Sequence, residues 1–417
     1  MELTRNGLPR VVVTGLGALS PLGTLKSFWS NVVEGTSGIR KIQNIATERL
    51  NIKIAGEVDF NPLDYIDRKL SRRMSRASQL AHAATQMAMD DAGVTRESLA
   101  PEADRVGVLM GTANAGFEML VDMGVRFREY ARKCNPVELV NGLPNLPAHY
   151  MSLLTGATGP LSTVVTACAS GTQAIGEAFE LVRRGRSDMV FTGGVDAVIV
   201  DIILDAFDGM TVLASGHNDT PEQASRPFDA ERNGFVLGEG AGVFVLETLD
   251  HALKRSARIY CEILGYASSS DAFHSAAPDP EGKGAQRSMR WAIEDARVNP
   301  VDVSYINAHG TGTPLNDKME TLAIKHLFGE EAYNIPVSSI KSMIGHCMGA
   351  AGALEAISCV VALVDKVLPP TINLTTPDPD CDLDYVPNEA RDADVQIALS
   401  NNFGLGGQNA SLVLGAF

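Results

Sequence analysis

One local pattern occurs twice along this chain and limits the folds open to it: an apolar strand that runs into a turn of small residues and then into a helix. Residues 162–167 are rich in β-branched side chains and read as a buried strand. Residues 173–184 carry apolar side chains at helical spacing, with Arg183 and Arg184 just before Gly185, as a helix ends. Between them lie Cys168, Ala169, Ser170 and Gly171. The pattern restarts near Arg258, with strands expected over 259–267, 304–308, 336–339 and 396–400. Helices are expected over 285–296, 318–328 and 349–364, the last rich in Ala and Gly. Strands alternating with helices imply parallel sheets covered by helices, and the restart points to an internal duplication with units 1–258 and 259–417. A chain of 417 residues is long enough for a large core and two or three domain-sized units.

A net charge of −15 argues against a general nucleic-acid or anionic-membrane binder. The most apolar run, 353–364, carries Glu355 and reads as too short to span a bilayer, so no membrane partner is expected. The first residues enter a strand almost at once and leave no room for a signal or transit peptide, so the expected location is cytoplasmic. Six cysteines (Cys134, Cys168, Cys261, Cys347, Cys359, Cys381) lack C-x-x-C pairs, which fits free thiols rather than a disulfide frame or a zinc site; no metal is expected. Cys381 sits in PDCDLDY, an exposed-looking turn.

Several segments invite a functional reading and a plainer one. Residues 10–14 form a strand entering Gly15-Leu16-Gly17, part of a dinucleotide fingerprint, but Ser20 stands where the third glycine belongs and the match is set aside. Arg68, Lys69, Arg72, Arg73 and Arg76 cluster ahead of an Ala/Met-rich helix; they read equally as a solvated face or as a patch for an acidic partner. Residues 106–111 form a strand leading to a turn with Asn114, 131–147 a polar excursion or subunit contact, and 189–200 a buried strand. Residues 214–229 read as exposed turns, and 233–249 as two central strands around a glycine-rich corner.

Three positions carry potential chemistry. At a helix N-terminus the unpaired N–H groups and the dipole would favour a Cys168 thiolate and hold an oxyanion beside it, although a lone cysteine also serves as a small buried hydrophobe. His309, in NAHGTGTP, follows a strand end, where ligand sites of parallel sheets gather. His346, in KSMIGHCMGAAG, precedes the Ala/Gly helix, whose dipole biases it toward the neutral form, a hydrogen-bond donor rather than a base. Either histidine alone reads as a satisfied core residue; two in Gly/Thr/Ser-rich turns shift the balance to function. NNFGLGGQN, residues 401–409, is a flexible turn or, beside a reactive thiol, a second source of oxyanion donors.

TACASG, NAHGTGTP, KSMIGH and NNFGLGG, in that order, with SRPFDAERNGFVLGEGAG and PPTINL, resemble the β-ketoacyl-acyl carrier protein synthases over essentially the whole chain. The elongating type II enzymes and their polyketide relatives are the nearer match. The resemblance implies an α/β, thiolase-like fold: two similar halves in a five-layered α-β-α-β-α core, the first holding the nucleophile and capping insertions, the second both histidines. It implies decarboxylative condensation of an acyl chain on Cys168 with malonyl-carrier protein, and a homodimer or a heterodimer with a related subunit. By the same resemblance His309 and His346 donate to the malonyl thioester carbonyl, and the N–H groups of Cys168 and Phe403 hold the second oxyanion. Phe403 gates the cysteine, Lys341 ties loops through Glu320, Thr311 and Thr313 bind the phosphopantetheine arm, and Asn114 and Gly404 face the substrate. No cofactor of its own is implied, since that arm arrives on the carrier protein; the structural cation that some members bind through oxygens would match Asn307, Glu320, Glu355 and Ser400. Carrier proteins are acidic, which gives the cluster from Arg68 to Arg76 a docking role.

The sequence departs from the family pattern at three places. Asn114 stands where an aliphatic residue lines the acyl channel, and a buried amide there needs partners. Residues 208–213 lack the arginine expected near carrier docking, and Leu405 and Gln408 replace an aromatic residue and a threonine. Fatty-acid elongation and polyketide or polyene synthesis therefore both stay open. So does a non-catalytic chain-length partner, although such subunits replace the nucleophile that Cys168 supplies. A degradative thiolase would need a second catalytic cysteine in the last glycine motif, and none is there.

Overall fold

Strand β1 (Val11–Ser20) is buried along its whole length because helices cover both its faces. Helix α1 (Arg76–Ala92) lies on the outer face, capped by Ser75, whose side chain accepts the Ser78 N–H, and ended by Gly93 in the left-handed conformation. Its alanines bring it so close that a Cβ at Gly17 would sit 2.0 Å from the Ala84 carbonyl oxygen. Gly15-Leu16-Gly17 is thus a packing device, which accounts for the incomplete dinucleotide pattern. The computed structural model describes residues 2–417, so Met1 lies outside the described residues.

The remaining core strands are β2 (Val106–Gly111), β3 (Leu161–Val164), β4 (Met189–Asp196) and β5 (Gly240–Thr248), then β6 (Cys261–Ser270), β7 (Tyr305–Asn307), β8 (Val337–Ser338), β9 (Ile397–Gly404) and β10 (Gln408–Ala416). They follow the order β8-β7-β9-β10-β6-β1-β5-β4-β2-β3. Outward from the middle, the first five strands run β1-β5-β4-β2-β3 and the last five β6-β10-β9-β7-β8, the same winding twice. Strand directions repeat too: β5 is antiparallel to β1 and β4, and β10 to β6 and β9, while β4-β2-β3 and β9-β7-β8 are parallel. The sheets are therefore mixed, not parallel as the alternation suggested, because each half closes with a strand that returns antiparallel through its centre.

Helices α2 (Ser170–Arg183) and α5 (Ala351–Asp365) fill the space between the two half-sheets. Ile175, Phe179 and Val182 from α2 and Leu354, Ile357 and Val360 from α5 pack with Phe244 and Leu246 on one side and Leu412 and Leu414 on the other. Helices α3 (Lys283–Ala296) and α4 (Pro314–Phe328) cover the far face through Met289, Ile293 and Ile324. The result is the five-layered, thiolase-like α/β core. Counted from Met348, the α5 run reaches 18 residues and passes for a membrane span by length and composition, contrary to the shorter reading from sequence. It is the one such helix among the described residues, and it is almost wholly enclosed by the two sheets.

Four local expectations fail for identifiable reasons. β3 is an edge strand paired only with β2, so Leu161 and Ser162 are exposed rather than buried. Residues 233–239 form loop, leaving β5 as the only strand of that stretch. Residues 224–229 are buried beneath the second half, where the Ser225 hydroxyl donates to the Lys341 carbonyl and Phe228 stacks on Tyr385. Cys381 is buried in the same outer cluster.

Candidate active site

Cys168 lies in a single 3-10 turn, Ala167–Ala169, ahead of α2, and His346 lies just before the matching turn, Met348–Ala350, ahead of α5. Ala167 and Met348 both adopt positive φ, +50° and +48°, at equivalent places in the two halves. Each costs roughly 1 kcal/mol in a residue other than glycine, so the surrounding contacts must hold the turns. The two helix starts meet where a Cβ on Gly171 would sit 2.7 Å from the Gly349 carbonyl oxygen. That approach sets His346 Nε2 3.0 Å from Cys168 Sγ. His309, following β7, completes the group: its ring centroid is 5.4 Å from that of His346, and one ligating-type atom from each of the three residues falls within 4.8 Å of the others.

All three side chains are buried, at the inner end of a cavity of about 430 Å³. Burial and the nearby Lys341 charge hold both imidazoles well below the ordinary histidine range, so they are neutral. The Met348 N–H donates to His346 Nδ1 at 3.3 Å, which leaves the ring proton on Nε2, facing the sulfur. The cysteine departs from the sequence expectation. Burial pushes its thiol up to about 11, outweighing the backbone N–H of Leu405 and the Lys341 charge that favour the thiolate. The buried wall thus favours a thiol over a thiolate, because desolvation exceeds what the nearby N–H groups and charge supply.

Lys341 is 1% exposed; its Nζ donates to the His309 carbonyl at 2.6 Å and pairs with Glu355. The expected tie through Glu320 is not made. Glu320 instead accepts the His309 and Gly310 N–H groups, each at 2.8 Å, and holds that turn from the other side. Phe403 lines the cavity with its ring centroid 5.7 Å from that of His309. Gly404 lines it too, as do Thr311 and Thr313, whose hydroxyls are 2.8 Å apart.

Two expected site residues lie elsewhere. Asn114 is exposed and absent from the cavity wall; its N–H donates to Asp196 at 3.0 Å, so no buried amide needs satisfying. Arg76 is not free for docking, since its guanidinium grips Glu239 at 2.6 and 2.8 Å and the Val58 carbonyl at 2.9 Å. Arg68, Lys69, Arg72 and Arg73 remain exposed.

Sequence reading missed Asp196 and Asn402, and it placed Glu355 only among possible cation ligands rather than as the partner of Lys341. Asp196 ends β4 fully buried and accepts from the Thr112 hydroxyl and from the N–H groups of Ala113, Asn114 and Gly349, joining the loop after β2 to the turn after His346. A lone acid closing an apolar strand, and Glu355 inside the most apolar helix, were the available signals. Phe207 and Phe235 form further cavity wall, and the Phe235 ring meets His346 edge-on at 5.3 Å.

The five-layered core and a cysteine facing two neutral histidines define a thiolase-like α/β protein. Residues 9–252 match the N-terminal domain of beta-ketoacyl synthases and residues 260–375 their C-terminal domain. The chain is 45% identical over 406 residues to the 3-oxoacyl-[acyl-carrier-protein] synthase 2 of Synechocystis sp., covering 97% of each sequence. Among solved structures, the ishigamide ketosynthase/chain length factor superposes with a TM-score of 0.91 at 38% identity, over 98% of this chain and 99% of that one. A type II PKS acyl-carrier protein in complex with its ketosynthase bound to the hexaketide gives the same score and coverage at 33% identity. The chain belongs to the β-ketoacyl synthase family.

Proposed function

We propose that this protein is a 3-oxoacyl-[acyl-carrier-protein] synthase that elongates fatty acyl chains by decarboxylative Claisen condensation. The 3.0 Å approach of His346 Nε2 to Cys168 Sγ, with the neutral His309 ring alongside, is the observation that carries the reading. In the first half-reaction Cys168 attacks the thioester of an acyl-carrier protein; its proton ends on the departing pantetheine sulfur and the acyl chain on Cys168. The Leu405 and Cys168 N–H groups that favour the anionic sulfur support this step, and the N–H groups of Cys168 and Phe403 are proposed to hold the carbonyl oxygen as its charge develops. In the second, malonyl-carrier protein loses CO₂ and the electron pair of the broken C–C bond becomes an enolate. His309 and His346 donate their Nε2 protons to its oxygen, and because both rings are buried and neutral they stabilise the charge without delivering a proton ahead of time. The carbanion attacks the carbonyl carbon of acyl-Cys168, the C–S bond breaks, and the departing sulfur takes a proton from water to restore the thiol.

No cofactor of the protein's own enters this scheme; the arm comes on the carrier, with Thr311 and Thr313 proposed to bind it and Phe403 and Gly404 to border its path. Arg68, Lys69, Arg72 and Arg73 are proposed to dock the acidic carrier. A homodimer is proposed, supported by the unpaired edge of β3 and by exposed Phe127, Tyr130, Leu139 and Val140 on the neighbouring helices Phe117–Tyr130 and Pro136–Asn141. The chain is proposed to divide near Arg258 and to act in the cytosol, a setting that suits six unpaired cysteines.

A second reading, a ketosynthase of a polyketide or polyene pathway with the same chemistry, is supported by the likeness to the type II PKS ketosynthase and to the ishigamide ketosynthase/chain length factor, each at a TM-score of 0.91. Condensation assays with carrier-bound chains of several lengths and oxidation states test both. Saturated chains elongated at the highest kcat/KM support the first reading, and a preference for polyene or polyketo chains supports the second. Failure of Cys168 to take up any acyl group would leave only a non-catalytic partner subunit.

A further inference from the structure

His346 owes its tautomer to a backbone amide, but the His309 turn offers its Nδ1 no such donor. Its neighbour there is Asn402, buried on β9, whose Nδ2 lies 3.4 Å from His309 Nδ1. The orientation of this amide is fixed by what surrounds it. Nδ2 donates to Glu355 Oε2 at 2.7 Å, while Oδ1 accepts the Thr172 hydroxyl from α2. Turning the amide over would set its carbonyl against a carboxylate and its NH₂ against a hydroxyl that has the Thr172 proton to give. With one amide hydrogen on Glu355, the other is directed at His309 Nδ1.

We propose that Asn402 is a positioning residue that fixes the tautomer of His309: by donating to Nδ1 it keeps that nitrogen bare and the ring proton on Nε2. The contact closes a ring of interactions in which Lys341 holds the His309 carbonyl and Glu355, Glu355 holds Asn402, and Asn402 holds the imidazole. Lysine and glutamate therefore act on the histidine through its backbone and through the amide, and only the amide touches the ring. This rests on the reading of His309 as the donor to the malonyl thioester oxygen, since a proton on Nδ1 would leave a lone pair facing the enolate.

Asn402→Asp is nearly isosteric and reverses the demand, because a carboxylate oxygen beside Nδ1 calls for a proton there. Nitrogen NMR of the full-length enzyme labelled at histidine, with the His309 signals assigned by their loss in His309→Gln, reads the tautomer without reference to activity. The expected result is the Nε2–H form in the wild type and the Nδ1–H form in Asn402→Asp. Acyl transfer to Cys168 is expected to stay within about 2-fold of wild type, while CO₂ release from malonyl-carrier protein falls by about 10²–10³ in kcat with KM little changed. Should Asn402→Asp not fold, Asn402→Ala serves, with a mixture of tautomers and a smaller fall in kcat expected. A wild-type His309 in the Nδ1–H form, or variants in which both tautomer and CO₂ release are unchanged, would overturn the proposal. Absence of Cys168 acylation in the wild type would instead overturn the functional reading, and the NMR result would still decide the role of Asn402.

Discussion

Lys341 and Glu355 form an ion pair almost entirely out of water, with side-chain exposures of 1% and 0%. The pair joins the turn before His346 to the second turn of α5, and Lys341 Nζ also donates to the His309 carbonyl. Removing one partner leaves the other charge buried and alone. Lys341→Met should cost about 3–5 kcal/mol of stability in denaturant unfolding. Enzyme that remains folded should lose CO₂ release from malonyl-carrier protein more than it loses acyl transfer to Cys168.

The Cys168 thiol, pushed up to about 11 by burial, has a pH signature. The thiolate fraction should rise about tenfold per pH unit through the neutral range. Inactivation by iodoacetamide should therefore keep accelerating to at least pH 9.5. A plateau near neutrality would mean that the helix start and Lys341 outweigh desolvation.

Gly349 is packed so that an added Cβ would sit 2.5 Å from Asp196 Oδ2 and 2.6 Å from the Ala113 nitrogen. Gly349→Ala should force the His346 turn away from the loop after β2, at roughly 1–3 kcal/mol. Because that turn carries His346, the acylation rate of Cys168 should drop along with the melting temperature. Gly93→Ala, at the end of α1 with nothing within 4 Å, strains the backbone alone and should lower only the melting temperature.

The basic residues near α1 should separate into two kinds. Charge reversal at Arg68 or Arg72 should raise KM for carrier-bound substrates several-fold at low salt, with kcat unchanged and the effect fading as ionic strength rises. Arg76→Ala breaks contacts to Glu239 and the Val58 carbonyl and should instead lower stability by roughly 2 kcal/mol, independent of carrier. A carrier-KM effect at Arg76 equal to that at Arg68 would contradict this division.

The sequence made the nucleophile turn, both histidine turns and the doubled strand–helix alternation legible because each is local: a run of apolar residues, then small ones, then helical spacing. It did not show strand direction, since the antiparallel return of β5 and β10 depends on which strands meet after the chain has folded. Nor did it show partners across the fold. Lys341 reaches Glu355 rather than Glu320, and Arg76 is taken up by Glu239, 163 positions further along the chain. Asn114 read as a channel residue from its place in a motif, yet the turn points it outward while its backbone serves Asp196. The cysteine was misjudged electrostatically for the same reason: a helix end is visible in sequence, and the burial that opposes it is not.

The account stands most directly on intact-protein mass spectrometry of Cys168 during turnover. Given acyl-carrier protein, the wild type should gain the acyl mass on Cys168 and lose it again when malonyl-carrier protein is added, as 3-oxoacyl product forms. His309→Ala should take up the same mass and keep it, and Cys168→Ala should gain none and form no product. Product from Cys168→Ala, or clearance of the acyl group by His309→Ala at the wild-type rate, would contradict it.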